Sequence, residues 1–305
     1  MSMKKDFLLL VIIIGATACT TIVDFDIPLN QPKVVVNSLF SPDSVWQLQI
    51  TRSKNILDVA PGSFFQPVGD AVVTILDQNG QLVETITGYS GKNFGYSYKG
   101  KTKPLPTQSY SIQVAVKNEL LLQAVNKVPT HVPITSVVID SSRFIAEGEA
   151  IEMKISFKDP GDEKNFYTVK FIEDAFYVVG SIVNNVFKGD TIRYTQEVYF
   201  EVVTQSLTDE VNGLEKIMND KLFNGKEYTF HLRLHNRYYG GLHIPRHSRV
   251  ILLSISEEYY KYLTTKTLQE YTSGDPFAQP VQVFTNVENG LGIFAGYSTS
   301  VVELK

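Results

Sequence analysis

The chain has 305 residues, of which 43% are apolar and 20% are charged. This composition supports folded cores and excludes wholesale disorder. The formal net charge of −4 excludes the strongly basic surface that is typical of proteins that bind nucleic acid.

The first segment of the chain has the features of an export signal. Lys4 and Lys5 precede an unbroken apolar run, Phe7–Ile14, and small residues then lead to Cys19. The run is far shorter than the roughly 20 apolar residues that a membrane-spanning helix needs. The sequence therefore predicts a signal peptide at residues 1–18 and not an anchor helix.

Cys19 is the only cysteine of the chain. Its position resembles a bacterial lipobox, in which the thiol is acylated and becomes the new N-terminus, although Ala16 stands where a leucine is usual. We therefore predict lipid attachment at Cys19, with ordinary signal-peptidase cleavage beside an incidental cysteine as the alternative. Several acyl chains together give stable membrane attachment. Residues 19–32, which include Pro28 and Pro32, are predicted to form an extended tether.

Short apolar or alternating runs bounded by turn residues fill residues 33–130 and predict about seven strands. Asn79 and Gly80 lie between two of these runs and are a strong hairpin signal. The run SYSIQVAV, residues 109–116, alternates, so every second residue from Tyr110 onward is predicted to share one buried face. We therefore predict an N-terminal immunoglobulin-like or transthyretin-like sandwich.

Two prolines interrupt the segment Val128–Pro133, where we predict a linker. Residues 134–305 continue with runs rich in aromatic and β-branched residues and predict a second, β-rich domain. Its predicted strands include residues 165–173, 176–183 and 193–203. Ser256–Tyr271 differs, because a serine N-cap and two early glutamates precede apolar residues at helical spacing. The predicted fold class is therefore mainly all-β, with one helix near the C-terminus.

Gly95–Thr102, GYSYKGKT, fits the phosphate-loop pattern G-x-x-x-x-G-K-[ST]. A phosphate loop needs a helix directly after its lysine, because the helix N-terminus helps to hold the phosphates. Pro104 and Pro106 exclude a helix that begins at Lys101, and the flanking runs predict antiparallel strands. We therefore predict a hairpin loop here and no nucleotide as a partner.

Four of the five histidines fall between His231 and His247. In a strand, His231 and His235 are about 13 Å apart, which is too far for one metal ion. Convergence of these histidines across a turn stays open as a metal-site hypothesis. The favoured interpretation is a set of exposed histidines on a strand and a loop.

Asp159, Asp162 and Glu163 offer carboxylates of the kind that bind calcium, although a Pro-Gly turn accounts for them as well. The three glycines of residues 283–298 lack the dinucleotide-binding spacing and are predicted to allow tight turns or close backbone approach. The sequence contains no nucleophile elbow, no H-E-x-x-H motif and no catalytic cysteine. We predict no catalytic, cofactor-binding or metal-binding residues, and hence no enzyme activity.

Five stretches carry a resemblance to a known family. They are PDSVWQLQITRSKNILD at 42–58, VGDAVVTILDQNG at 68–80, FKDPGDEKNFYTV at 157–169, KLFNGKEYTF at 221–230 and DPFAQPVQVFTNVENGLGIFAGYS at 275–298. On these stretches the chain resembles the Bacteroidota outer-membrane lipoproteins called domain of unknown function 4249. Gln108 stands where the resemblance leads us to expect a turn glycine.

The resemblance implies a lipoprotein of the outer membrane that faces the cell exterior and is often encoded beside a TonB-dependent transporter. It supplies no catalytic residues. We expect a non-catalytic binding or accessory module in nutrient uptake, held by membrane lipid through acylated Cys19. The alternatives are a structural envelope or adhesion protein with no transported ligand, and a surface hydrolase.

Overall fold

The computed structural model describes residues 31–54, 66–88, 98–145, 148–183, 186–203, 209–211, 215–235, 244–272, 278–279 and 281–304. The predicted signal peptide, Cys19 and all but the last two residues of the predicted tether lie outside them.

The described residues form 18 strands and one helix. The strands are β1 (Val34–Phe40), β2 (Gln47–Arg52), β3 (Gln66–Pro67), β4 (Val72–Asp77), β5 (Leu82–Ile86), β6 (Tyr98–Lys99), β7 (Ser109–Ala115), β8 (Leu122–Lys127), β9 (Ile134–Ile145), β10 (Gly148–Lys158), β11 (Phe166–Val183), β12 (Val186–Glu197), β13 (Phe200–Val202), β14 (Asp209–Val211), β15 (Glu215–Asn219), β16 (Glu227–His235), β17 (Ile244–Ile255) and β18 (Leu291–Leu304). The helix is α1 (Glu257–Thr272).

The mainly all-β fold class and the single helix near the C-terminus are confirmed within this part of the chain. Ser256 caps α1 as predicted, because its Oγ accepts a hydrogen bond of 3.3 Å from the Tyr259 amide. The predicted hairpin also forms. Gly80 takes a φ of 75° and its amide donates to the Asp77 carbonyl, which closes the turn between β4 and β5.

Strand lengths differ from the prediction in one region. Two predicted strands, residues 165–173 and 176–183, form the single 18-residue strand β11. One predicted strand, residues 193–203, is divided between β12 and β13. The division has a structural cause, because the chain crosses there from one sheet to another and the Val198 amide donates to the Phe171 carbonyl.

The strands form one long sheet and two smaller ones. The long sheet has ten strands and the main order β14-β15-β11-β17-β18-β1-β2-β3, with β12 paired to β11 and β6 paired to β2. An N-terminal four-stranded sheet has the order β5-β4-β7-β8. A C-terminal four-stranded sheet has the order β13-β16-β10-β9.

The last strand of the chain joins the two halves of the long sheet. β18 pairs in parallel with β1, with Val36 opposite Gly292, and antiparallel with β17, with Ile255 opposite Tyr297. A continuous hydrogen-bonded sheet therefore crosses the predicted boundary between residues 33–130 and 134–305. The division into two domains stays a prediction.

Two cores lie on one face of the long sheet. The first fills the space beneath the N-terminal four-stranded sheet and contains Trp46, whose ring centroid lies 5.0 Å from that of Phe40. Tyr110 and every second residue from it to Val116 are buried there, which confirms the predicted alternation. The second core, rich in aromatic residues such as Phe157, lies beneath the C-terminal four-stranded sheet.

Helix α1 packs on the opposite face of the long sheet. Its Tyr259 and Leu263 belong to a third cluster, together with Leu253 and Ile255 of β17 and Ala295 of β18. Successive side chains of β18 therefore pack on opposite faces of the long sheet.

The predicted linker Val128–Pro133 runs between the two four-stranded sheets. Val128 is buried in the first core and Val132 in the second. The segment is therefore packed against both cores rather than surrounded by water.

Candidate functional site

The loop that fits the phosphate pattern holds a carboxylate of the protein itself. The Lys101 amide donates to Glu84 Oε1 at 2.7 Å, while the Thr102 amide and Thr102 Oγ1 donate to Oε2 at 3.0 and 2.6 Å. A Cβ at Gly100 would lie 2.7 Å from Glu84 Oε2, so the glycine allows this close approach. Burial raises the pKa of the Glu84 carboxyl, but the hydrogen bonds from Thr102 and Lys101 outweigh that effect and lower it.

The predicted acidic turn belongs to a structural clasp. We call the clasp the Asp159 clasp; it joins the β10–β11 connection to the β15–β16 connection. Asp159 is buried and accepts hydrogen bonds from the Tyr167 hydroxyl at 2.5 Å and from the Gly225 amide at 2.8 Å. Across the clasp, buried Asp220 accepts from the Asn165 amide at 2.8 Å. Burial raises the pKa of the Asp159 carboxyl, and the nearby Asp220 carboxylate raises it further. The hydrogen bonds from Tyr167 and Gly225 lower this pKa, but the net effect is a rise.

The other two acidic residues of this turn have different surroundings. Glu163 accepts hydrogen bonds from Lys127 Nζ at 2.6 Å and from Thr130 Oγ1 at 2.9 Å, which ties the turn to the linker. Asp162 is exposed. Within the described residues, no three His, Cys, Asp or Glu side chains are grouped so that they would hold a metal ion.

His231 and His247, the two histidines of the predicted group whose side chains the structure describes, lie on different sheets. His231 is on β16, and its Nε2 lies 3.4 Å from Glu152 Oε2, beside the pair in which Arg233 donates to Glu152 Oε1 at 2.7 Å. His247 is on β17 of the long sheet. These two side chains therefore do not converge, and the side chains of His235 and His243 lie outside the described part of the structure.

The predicted close approach at the C-terminal glycines is confirmed. Gly292 has a φ of 107°, and a Cβ there would collide with the carbonyl oxygen of Val36 in β1. A Cβ at Gly296 would collide with the carbonyl oxygen of Lys127. Both glycines therefore let β18 run against the N-terminal half of the fold.

The stretches that carry the family resemblance meet at these contacts. Residues 157–169 and 221–230 form the Asp159 clasp, and residues 275–298 supply the glycines. Glu84 and Asn126, the latter a buried side chain of β8, were not predicted from the sequence. No local pattern marks either residue, because their partners are distant in sequence. Of the residues that the sequence singles out, Asp159, Glu163 and the C-terminal glycines thus make contacts that join parts of the fold.

A projecting hairpin is the candidate interaction site. Beyond Phe176, β11 leaves β17 and pairs only with β12 among the described strands, as far as Val183 opposite Val186. We call this two-stranded part, residues 177–183 and 186–192, the ribbon. The pairing of β11 with β12 is regular over its whole length. Val179 and Ile192 are exposed at 51% and 42%, so apolar surface of the ribbon meets solvent.

Strand direction fixes where the ribbon extends. β1 and β18 run parallel, with Val35 opposite Leu291, and the two antiparallel steps from β18 through β17 give β11 the same direction. Phe166 of β11 is level with Tyr297, which is about 20 Å further along β18 than Leu291 at 3.3 Å per residue. The closed end of the ribbon therefore points away from the end where β1 begins. Sheet twist of about 20–25° per strand turns it partly sideways.

A shallow depression lies at the base of the ribbon. It has a volume of about 360 Å³ and is lined by residues that include Asp174, Phe176, Arg193, Thr195 and His247. Asp174 Oδ1 is fixed by hydrogen bonds from Thr195 Oγ1 at 2.6 Å and from Arg249 Nη2 at 2.7 Å. The depression thus offers an ordered polar surface beside the exposed ribbon.

None of the helices in the described residues combines the length and the apolar character needed to cross a membrane. No curated protein matches the chain at a significant level. The sequence profile described as Domain of unknown function (DUF4249) matches residues 20–302. The chain therefore belongs to the family Domain of unknown function (DUF4249).

Proposed function

We propose that this protein is a lipid-anchored, non-catalytic accessory module of the outer membrane that binds a TonB-dependent transporter in nutrient uptake. The ribbon is the element that contacts the partner. The observation that carries this proposal is the outer edge of β12 along residues 186–192, which pairs with none of the described strands. Acylated Cys19 would hold the protein on the cell surface.

The edge of β12 differs from the other sheet edges. An unpaired strand edge presents rows of N–H and C=O groups, and natural proteins blunt such edges with short strands, prolines, bulges or lysines. Among the described edge strands, β3, β6, β13 and β14 have two or three residues, and the pairing of β5 and β9 is irregular. The six-residue edge strand β8 is partly covered, because its Gln123 forms a bridge with Glu288. β12 has 12 residues, a regular pairing, no proline and a single lysine, Lys188. It suits the addition of an extended strand from a partner.

The direction of the ribbon supports a partner beyond the anchoring lipid. The tether enters the fold at the start of β1, and the ribbon extends from the other end of the long sheet. A strand or loop of a transporter that rises above the membrane would meet this edge. The transporter as partner, the outer membrane and the Bacteroidota origin rest on the family resemblance.

The described carboxylates fit a non-catalytic role. Glu84, Asp159, Glu163 and Asp220 each accept hydrogen bonds that close a turn or a clasp. A general acid or base needs access to a substrate proton. These groups are instead committed to the fold.

Pull-down of tagged protein from outer membranes tests the proposal. We expect a TonB-dependent transporter to be recovered with the wild type. Thr191→Pro removes one N–H of β12. If that N–H lies on the outer edge of the strand, the amount of transporter recovered should fall at least tenfold. Thr191→Val, which keeps the N–H and the β-branched shape, is the matched control and should recover the wild-type amount.

Two results would count against the proposal. Recovery of the tagged protein without any transporter would contradict the accessory role. If a deletion strain also took up nutrients normally but had a weakened envelope, the structural alternative would be favoured. Equal recovery with Thr191→Pro and Thr191→Val would contradict the assigned edge.

A further inference from the structure

A turn with two exposed leucines lies at the end of the N-terminal sandwich. Residues 116–121 connect β7 to β8, and we call them the leucine turn. Leu120 and Leu121 are 72% and 42% exposed, and Leu120 is the most exposed of the described large apolar side chains. Asn118, with a φ of 61°, and a hydrogen bond from the Glu119 amide to the Val116 carbonyl hold the turn in shape.

The leucine turn lies beside the point where the tether enters the fold. Arg52, which pairs with Val34 at the start of β1, forms a 2.6 Å ion pair with Glu119. The carbonyl of Leu121 accepts a hydrogen bond of 2.9 Å from Asn289 Nδ2. A Cβ placed at the next residue, Gly290, would be 2.8 Å from the Val34 carbonyl oxygen. The exposed leucines and the start of β1 therefore share one end of the molecule.

The charges around this end suit a lipid surface. Among the described residues, the basic ones are Lys33, Arg52, Lys54 and Lys117, and the acidic ones are Asp70, Glu119 and Glu288. Lys33, just before β1, and Lys117, within the leucine turn, are both exposed. Lysine side chains extend apolar stems and keep their ammonium groups in water, so they are compatible with lipid phosphates around a buried leucine pair.

The tether keeps this end close to the anchoring membrane. The predicted extended tether, residues 19–32, spans at most about 50 Å. A surface held at this distance is present at high effective concentration, so a weak apolar contact is enough to orient the body. Two adjacent leucines are a contact of that kind.

We infer that the leucine turn rests on the anchoring bilayer, with Leu120 and Leu121 inserted at the boundary between headgroups and acyl chains. The inference rests on the proposed attachment through Cys19. It assigns the body a fixed orientation, with the leucine turn against the lipid and the ribbon directed away from it.

Fluorescence quenching by brominated lipid tests the inference. The full mature lipoprotein is reconstituted in vesicles of phosphatidylcholine and phosphatidylglycerol, with and without bromine on the acyl chains. Leu120→Trp places a reporter on the turn. Leu105→Trp is the matched control, because Leu105 is 62% exposed but lies at the opposite end of the sandwich, where its amide bonds to the Tyr110 hydroxyl. The native Trp46 is fully buried and gives a constant background.

We expect the brominated lipid to lower the emission of the Leu120→Trp reporter by about twofold and to leave that of the Leu105→Trp reporter unchanged. Equal quenching of the two reporters overturns the inference. Absence of quenching in lipid vesicles, together with a blue shift in native membranes that contain protein, also overturns it and indicates a protein contact. An unchanged thermal midpoint verifies that each variant is folded.

The mass of the N-terminal peptide separates this inference from the proposed function. An acylated Cys19 without quenching of the Leu120→Trp reporter leaves the attachment standing and overturns the inference. An unacylated Cys19 with quenching by added vesicles contradicts the proposed attachment and supports the leucine turn as a lipid contact.

Discussion

Asn126 of β8 donates a hydrogen bond of 2.6 Å to Glu258 of helix α1, although 132 residues separate them. The same side chain accepts a hydrogen bond of 3.0 Å from the Gly296 amide of β18. One buried amide therefore connects the N-terminal sandwich, the last strand and the helix. The two halves of the chain share this contact as well as the long sheet.

Replacement of Asn126 by alanine should destabilise the protein. Asn126→Ala removes both hydrogen bonds and leaves the buried Gly296 amide without its acceptor, so we expect a loss of about 1–3 kcal/mol in the free energy of unfolding. Denaturant unfolding followed by Trp46 fluorescence measures it. Gln113→Ala, at a half-buried residue of β7, is the control and should change the free energy by less than about 0.5 kcal/mol. Equal losses in the two variants would contradict the role of Asn126.

Phe294 lies on the last strand but packs in the first core. Its ring centroid is 4.5 Å from that of Phe40, and the side chain is fully buried. Phe294→Ala should cost about 3–5 kcal/mol through lost packing and a cavity. Val301→Ala removes a 48% exposed side chain from the same strand and should cost less than about 1 kcal/mol. The Trp46 transition should shift to lower denaturant only in the first variant.

Alanine at three glycines should give a graded series of stability losses. At Gly88 nothing lies within 4 Å of the position that a Cβ would take, so Gly88→Ala should be nearly neutral. Gly80 also has open space but a φ of 75°, so Gly80→Ala should cost about 1 kcal/mol. Gly292 combines a φ of 107° with a collision against Val36, so Gly292→Ala should cost more than about 3 kcal/mol. Thermal midpoints that do not follow this order would contradict the assigned contacts.

Glu84 should stabilise the fold at neutral pH and lose that effect in acid. Its pKa is lower in the folded protein than the ordinary value of 4.5. The unfolded chain therefore takes up the proton first as the pH falls, and the contribution disappears once the pH passes below the folded pKa. Glu84→Gln should cost about 1 kcal/mol at pH 7. The difference from wild type, measured by denaturant titration, should shrink as the pH falls below about 4.5.

Asp159 should give the opposite pH dependence. Its pKa is raised above the ordinary value of 3.8, so the folded state favours the neutral carboxyl. Protonation of Asp159 stabilises the folded state fully at any pH below the pKa that this carboxyl has in the unfolded chain. The stabilisation is lost as the pH rises through the higher pKa of Asp159 in the folded state. The stability of wild type relative to Asp159→Asn should therefore fall between acid and neutral pH. A parallel pH trend for the Glu84 and Asp159 variants would contradict these assignments.

The structural features that depend on residues close together in the sequence were predicted correctly. The alternation that begins at Tyr110, the turn at Asn79 and Gly80, and the serine cap of α1 depend on neighbours within a few residues. The parallel pairing of β18 with β1 joins residues about 255 positions apart, and no local pattern encodes it. Glu84 and Asn126 were missed for the same reason.

The candidate interaction site was only partly predictable. The sequence indicated strands at residues 165–173 and 176–183, but their union into β11 depends on β12 and β17 as pairing partners. In the sequence, the leucine turn is typical of the end of a strand. Its position beside Val34 depends on how the N-terminal strands pack and could not be predicted from the sequence. Lipid attachment at Cys19 stays a prediction.

The position of β18 also constrains how the protein is made. β18 occupies the gap between β1 and β17, so both neighbours keep an open edge until residues 291–304 have been synthesised and have paired with them. Chains arrested before that point would present adjacent unpaired edges to one another and would be prone to aggregate. Truncation that removes residues 291–304 should therefore be as damaging as loss of an entire sheet.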